Sequence, residues 1–193
     1  DSLFSSRAEK LFTGENKVEE NFLENYYLHP SFTDLGLPSG AIGMCYPAEY
    51  DDYVYIPNWM LFYIIELKEN YLRTKNEKLK DKSYPIANNI LKFLKQFENE
   101  YGLLENLPGW VFVEWSKANS YEFMKGVNFP TNMLYQKAIK DFAYLYDKSL
   151  LSKANSIKKE IIKHSYNGTF FVDNAIRENN KLVKTNNISE TCQ

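Results

Sequence analysis

Apolar residues recur at helical spacing along most of this chain, and they predict helices arranged in pairs. Residues 2–13 and 16–28 read as two helices joined at Thr13-Gly14, an αα-hairpin, with Asn16 as an N-cap and Glu19 three places later completing a capping box. Periodicity then stops. From His29 to Ile56 proline, glycine and tyrosine accumulate in a stretch too long for a simple connector, which marks a functional loop. Pro57 suits a first helical turn, and residues 57–74 are apolar on almost every side through Trp59, Met60, Leu61, Phe62, Tyr63, Ile64 and Ile65. Such a helix is buried all round.

The next helix, about 84–100, carries a single stripe of Ile86, Ile90, Phe93, Leu94 and Phe97, with lysine, asparagine and glutamate elsewhere, so it belongs on the outside. The alternation repeats. A helix near 130–147 holds Met133, Leu134, Ala138, Phe142 and Leu145, and an amphipathic one follows near 150–165 through Ala154, Ile157 and Ile161. Asn167-Gly168 marks a turn, Thr169 to Val172 has strand character, Asn179-Asn180 closes a small hairpin, and Ser189 to Gln193 reads as the start of a further helix. The fold class is therefore all-α with a small β-hairpin near 169–184, three helical hairpins forming part of a toroid, an incomplete ring, in one partial domain over 1–193. Tetratricopeptide-like repeats are not supported, because the hairpins recur at about twice that ~34-residue period. An incomplete ring leaves its all-apolar helix, 57–67, without neighbours to cover it, so self-association is expected.

Composition narrows the partners. The chain of 193 residues has 44% hydrophobic content and a net charge of -2, enough for a real core and without the basic stripe that nucleic acid needs. No apolar run is long enough to cross a bilayer. Cys45 and Cys192 are far apart and read as free thiols, and no metal-ligand spacing, phosphate loop, dinucleotide fingerprint or nucleophile elbow is present, so no cofactor or metal is expected. His29 and His164 lack partners at useful spacing, and the two Asn-x-Ser/Thr patterns at Asn167 and Asn187 are given no role.

Two aromatic clusters carry the candidate chemistry. Gly102-Leu-Leu-Glu-Asn-Leu-Pro-Gly-Trp-Val-Phe-Val-Glu-Trp115 sets Trp110 and Trp115 beside Glu114, and Tyr46-Pro-Ala-Glu-Tyr-Asp-Asp-Tyr-Val-Tyr-Ile-Pro-Asn-Trp59 precedes the apolar helix. Flat rings cover the C–H faces of a sugar while carboxylates and amides fix its hydroxyls, so carbohydrate is the first ligand class. Glu49, Asp51, Asp52, Glu105 and Glu114 are the loop carboxylates from which an acid and base pair could be drawn, with Glu114 favoured by its place between Val113 and Trp115.

The segments Ile56-Pro-Asn-Trp59, Glu100-Tyr-Gly-Leu-Leu-Glu-Asn-Leu-Pro-Gly-Trp110, Phe112-Val-Glu-Trp115, Asn128-Phe-Pro-Thr-Asn132 and Ser189-Glu-Thr-Cys-Gln193 resemble, in order and over nearly the whole chain, the catalytic domain of bacterial α-L-rhamnosidases, glycoside hydrolase family 78. That resemblance implies an (α/α)6 barrel of twelve helices, of which this chain supplies about half. It implies inverting hydrolysis by two carboxyl groups, the general acid lying just before Asp1 and the general base after Gln193, so this chain holds neither and is inactive alone. By the same resemblance Asp1 contacts sugar hydroxyls, Trp59 stands against the ring, Trp110 or Trp115 closes the pocket and Glu114 is a polar neighbour. Localisation stays open between bacterial cytoplasm and periplasm. The alternatives are another six-hairpin glycosidase, trehalase-like or glucoamylase-like, and a non-enzymatic helical module that binds carbohydrate or protein through its tryptophans.

Overall fold

A computed structural model describes residues 2–28, 36–46 and 54–193. Three helical hairpins form the body: α1 (Ser2–Thr13) with α2 (Lys17–Leu28), α3 (Pro57–Thr74) with α4 (Glu77–Lys95), and, after the short α5 (Tyr121–Met124), α6 (Phe129–Leu145) with α7 (Leu151–Ser165). The two apolar helices α3 and α6 pack along each other, α4 lies against α3 and α2, and α7 against α6. Tyr63, Leu61 and Ile64 from α3 and Phe129, Tyr135 and Ile139 from α6 are almost wholly removed from water. Each helix that is apolar on most sides thus lies inside, as its pattern predicts.

Several boundaries differ from the sequence reading for identifiable reasons. α4 begins at Glu77, two turns before the expected start: Lys75 ends α3 in the left-handed region (φ 55°), Asn76 caps α4 by accepting the Leu79 N–H at 3.0 Å, and Pro85 sits inside the helix. Burial of Leu79, Ala87 and Ile90 along one face outweighs the ~3 kcal/mol that an interior proline costs. The expected capping box at Asn16 is absent. Glu9 of α1 reaches over to accept the Val18 and Glu19 N–H groups, at 3.0 and 3.2 Å, while the Glu19 side chain turns into the core and binds Arg73 and Asn70.

The strand content is a three-stranded antiparallel sheet of order β1-β2-β3, from β1 (Val127–Asn128), β2 (Asn174–Glu178) and β3 (Lys181–Lys184). The hairpin starts at 174, not 169. Asn179 and Asn180 make its turn with positive φ at both positions, the type I′ geometry that suits a two-residue connection. Residues Glu190–Cys192 form a short 3-10 turn.

The apolar helix expected to be open is covered within the chain. Among the described residues the aliphatic and phenylalanine side chains that are more than half exposed lie instead on α1 and the start and end of α2, at Phe4, Leu11, Phe12, Val18 and Leu28.

Arg177 of β2 ties the sheet to the turn that follows α4. Its guanidinium donates to Glu100 through two bonds of 2.7 Å and to Glu105 through bonds of 2.9 and 2.8 Å. The paired charges raise the arginine further above its ordinary value and hold both carboxyls below theirs. Lysine at this position keeps the charge but not the double fork, so Arg177→Lys is expected to lower the thermal midpoint, by a margin that narrows as salt screens the charges in the wild type.

Candidate functional site

The two inner helices begin at the same end of the molecule, and their first turns assemble the site. Asn58, fully buried in the first turn of α3, donates to Thr131 Oγ1 at 2.9 Å and accepts the Phe112 N–H at 3.2 Å. At the start of α6, Asn128 accepts both the N–H and the hydroxyl of Thr131, at 3.0 and 2.6 Å. Asn132 accepts the Leu104 N–H at 2.7 Å and donates to the Leu104 carbonyl at 3.0 Å. These amides join helix starts to the loop over 104–115 at both of its ends. Trp110 N–H adds a bond of 3.1 Å to the Tyr55 carbonyl, across a contact so close that only glycine fits beside it: a Cβ on Gly109 (φ 81°) would lie 2.7 Å from the Tyr55 ring.

Asn58→Ala leaves the Phe112 N–H without its acceptor and the Thr131 hydroxyl without its donor, in a buried position. It is expected to cost about 2 kcal/mol in urea unfolding and to loosen the loop, seen as faster hydrogen exchange over 110–115.

The loop presents a continuous aromatic wall. Phe112 stands at its centre, edge-on to Trp59 at 6.3 Å, Trp110 at 5.3 Å and Trp115 at 4.8 Å. On one side of the wall lies a cleft of about 830 Å³. Its borders are Ser2 to Phe4 of α1, Phe22 and Tyr26 of α2, Ile42 to Tyr46, the first turns of α3 including Trp59 and Tyr63, and Phe112 to Trp115. Trp115 is 84% exposed and stands at the edge, while Trp59 is half-buried. Burial lifts the Tyr26 and Tyr63 hydroxyls well above the usual phenol range, so both stay neutral donors.

Trp59, Glu114 and Trp115 therefore border one cleft. Trp110 does not; its indole, 38% exposed, lines a second hollow of about 310 Å³ on the other side of the wall, with Leu107, Tyr121, Met124 and Lys125. Asp1 lies outside the described residues, as do Glu49, Asp51 and Asp52. Glu105 is held by Arg177, away from the cleft. Glu114 is the only carboxylate among the described residues that lines the cleft, and it accepts a short hydrogen bond from the Ser116 hydroxyl. The sequence reading missed Phe112, though its place in the alternation Trp110-Val-Phe-Val-Glu-Trp115 is the pattern of an aromatic face. It also missed Glu66, whose signal is one charged residue in the apolar run Ile64-Ile65-Glu66-Leu67. Among the described residues no group of three or more side chains is placed to hold a metal ion, and no helix is long and apolar enough to cross a membrane.

No protein-family model matches the sequence, and no curated protein does. Among solved structures the chain is similar to a GH78 family rhamnosidase of Bacillus sp. GL1, with a TM-score of 0.55 and 21% identity over 63% of this chain. The chain spans 13% of the length of that protein. At this identity the similarity is one of fold: a mostly helical body, distantly related in structure to part of a rhamnosidase.

Proposed function

We propose that this chain is part of an inverting glycoside hydrolase of the α-L-rhamnosidase kind, acting on terminal α-L-rhamnosyl groups, and that it supplies a wall of the sugar cleft and not the reacting pair. The observation that carries this reading is the shared cleft in which Trp59 and Trp115 flank Phe112 with Glu114 beside them. Rings at mutual right angles offer stacking faces to a pyranose, and one carboxylate at the edge offers a hydroxyl an acceptor. Inversion needs a second carboxyl group about 6.5–9.5 Å away across the sugar, and Glu114 has no such companion among the described cleft residues. On this reading the hairpins are consecutive members of an (α/α)6 ring, the acid precedes Asp1 and the base follows Gln193, with Asp1 contacting sugar hydroxyls.

Titration with methyl α-L-rhamnoside, followed by tryptophan fluorescence, tests it. Saturable binding is expected, with no release of nitrophenol from p-nitrophenyl α-L-rhamnoside. Trp115→Ala should weaken binding about tenfold, the 1–1.5 kcal/mol of one stacked ring, without moving the unfolding midpoint, because this side chain is 84% exposed. Preference for trehalose or maltose would transfer the chain to another six-hairpin glycosidase. Turnover of the nitrophenyl substrate with ordinary kinetics would overturn the division of labour proposed here.

Self-association belongs to the same reading, since Phe4, Leu11 and Phe12 expose an apolar face on α1 that further hairpins of a ring would cover. Sedimentation velocity at rising concentration should show it, and a single monomer boundary throughout would count against it.

A further inference from the structure

We infer that Glu66 is a positioning residue for the sugar cleft: through its hydrogen bond to Ser2 it holds the first turn of α1 in place as a wall, and its protonation state sets how well the cleft binds. The inference rests on the reading of the cleft as a sugar site. Glu66 follows Trp59 and Tyr63 at helical spacing on one face of α3 and is completely buried. Its Oε2 accepts the Ser2 hydroxyl at 2.7 Å, while its Oε1 is buried with no hydrogen-bond partner. Ser2, Leu3 and Phe4 border the cleft, so the residue that Glu66 holds is part of the wall itself. Two further contacts continue the seam between α1 and α3: Phe4 meets Phe62 edge-on at 6.0 Å, and Arg7 donates to both oxygens of Glu69 at 3.0 and 2.7 Å. Of the three, only the Ser2–Glu66 bond combines a cleft-lining residue with a group that can change charge.

Burial favours the neutral form of Glu66 and the nearby Glu19 adds to it, while the Ser2 hydrogen bond and Arg73 pull the other way. The charged or titratable groups facing it are Arg7 on α1, Glu19 and Tyr26 on α2, and Tyr63 and Arg73 on α3. Arg73 is itself bound to Glu19. On α6 Lys137 pairs with Asp141, and on α4 Lys80 pairs with Glu77. Burial pushes this carboxyl up to about 7. Once ionised it keeps the Ser2 bond but carries charge on Oε1, which has no hydrogen-bond partner, and water drawn in between α1 and α3 to solvate that oxygen moves the wall.

The test uses the whole chain, methyl α-L-rhamnoside as probe, and the variants Glu66→Gln and Ser2→Ala. Wild-type affinity is expected to fall about tenfold between pH 6 and pH 8.5, as the wall shifts to its open form, whereas Glu66→Gln, neutral throughout and still an acceptor for Ser2, keeps the pH 6 affinity at both. Ser2→Ala should bind at pH 6 as weakly as wild type does at pH 8.5. Tryptophan fluorescence without sugar gives a second readout from Trp59 and Trp115: a transition centred near 7 in wild type, absent in Glu66→Gln. Parallel pH profiles in wild type and Glu66→Gln, or flat ones in both, would overturn the inference while leaving the sugar site standing if the probe binds. A fluorescence transition lost in Glu66→Gln, with no sugar bound at any pH, would uphold the wall and remove the sugar reading instead.

Discussion

Replacing Glu19 by alanine is expected to remove about 3–5 kcal/mol of stability, a large share of the 5–15 kcal/mol typical of a single domain. Glu19 is buried on α2, and its two oxygens serve Arg73 and Asn70 of α3, the latter at 2.8 Å. Arg73 is itself mostly buried, with Glu69 at 3.6 Å as its other carboxylate. Removing Glu19 strands a guanidinium and an amide donor in the interior, and the cost is the desolvation of those groups rather than the net worth of the pair. The double variant Glu19→Leu with Arg73→Met should recover most of the loss, since both charges leave together. Urea unfolding of the wild type, Glu19→Ala and the double variant measures this. A single-variant loss under 1 kcal/mol would mean that the pair is solvated.

Glu66→Gln is expected to gain up to about 3 kcal/mol over wild type at pH 8 and almost nothing at pH 4. The folded carboxyl titrates at about 7, against an ordinary value of 4.5, so between these values the folded state binds more protons than the unfolded. Wild-type stability is therefore full below about pH 4.5, falls as pH rises towards 7, and stays level beyond. The glutamine variant lacks this slope. Other carboxyls, Glu69 and Asp173 among them, titrate alike in both proteins, so the difference between their two pH profiles isolates Glu66. Equal unfolding midpoints at pH 8 would show that Glu66 ionises there at no cost.

Both effects come from residues whose importance is invisible at the level of local pattern. Glu19 reads as a capping residue because it follows Asn16 by three places, yet Glu9 performs that capping from the preceding helix. Its true partner, Arg73, is 54 positions away. The outer helix reads as starting at about residue 84, yet a cap at Asn76 and a buried stripe begin α4 at Glu77 and carry it through Pro85. Trp110 and Trp115, five positions apart in one loop, read as equivalent, yet although their rings meet edge-on at 6.2 Å they line different hollows.

The sequence by itself determined the helical hairpins, the inner or outer place of α3, α4, α6 and α7, the asparagine turn of the small sheet, and the aromatic character of the loop that ends at Trp115. Those features follow from side-chain periodicity and turn chemistry, which act over a few residues and are written locally. Tertiary structure alone decided that Trp59 and Trp115 share a cleft, that Glu105 is held by an arginine 72 positions later, and that Glu66 lies beneath the cleft wall with one oxygen unpaired. Each depends on which helix faces which across the core, and that choice is made by packing between distant segments.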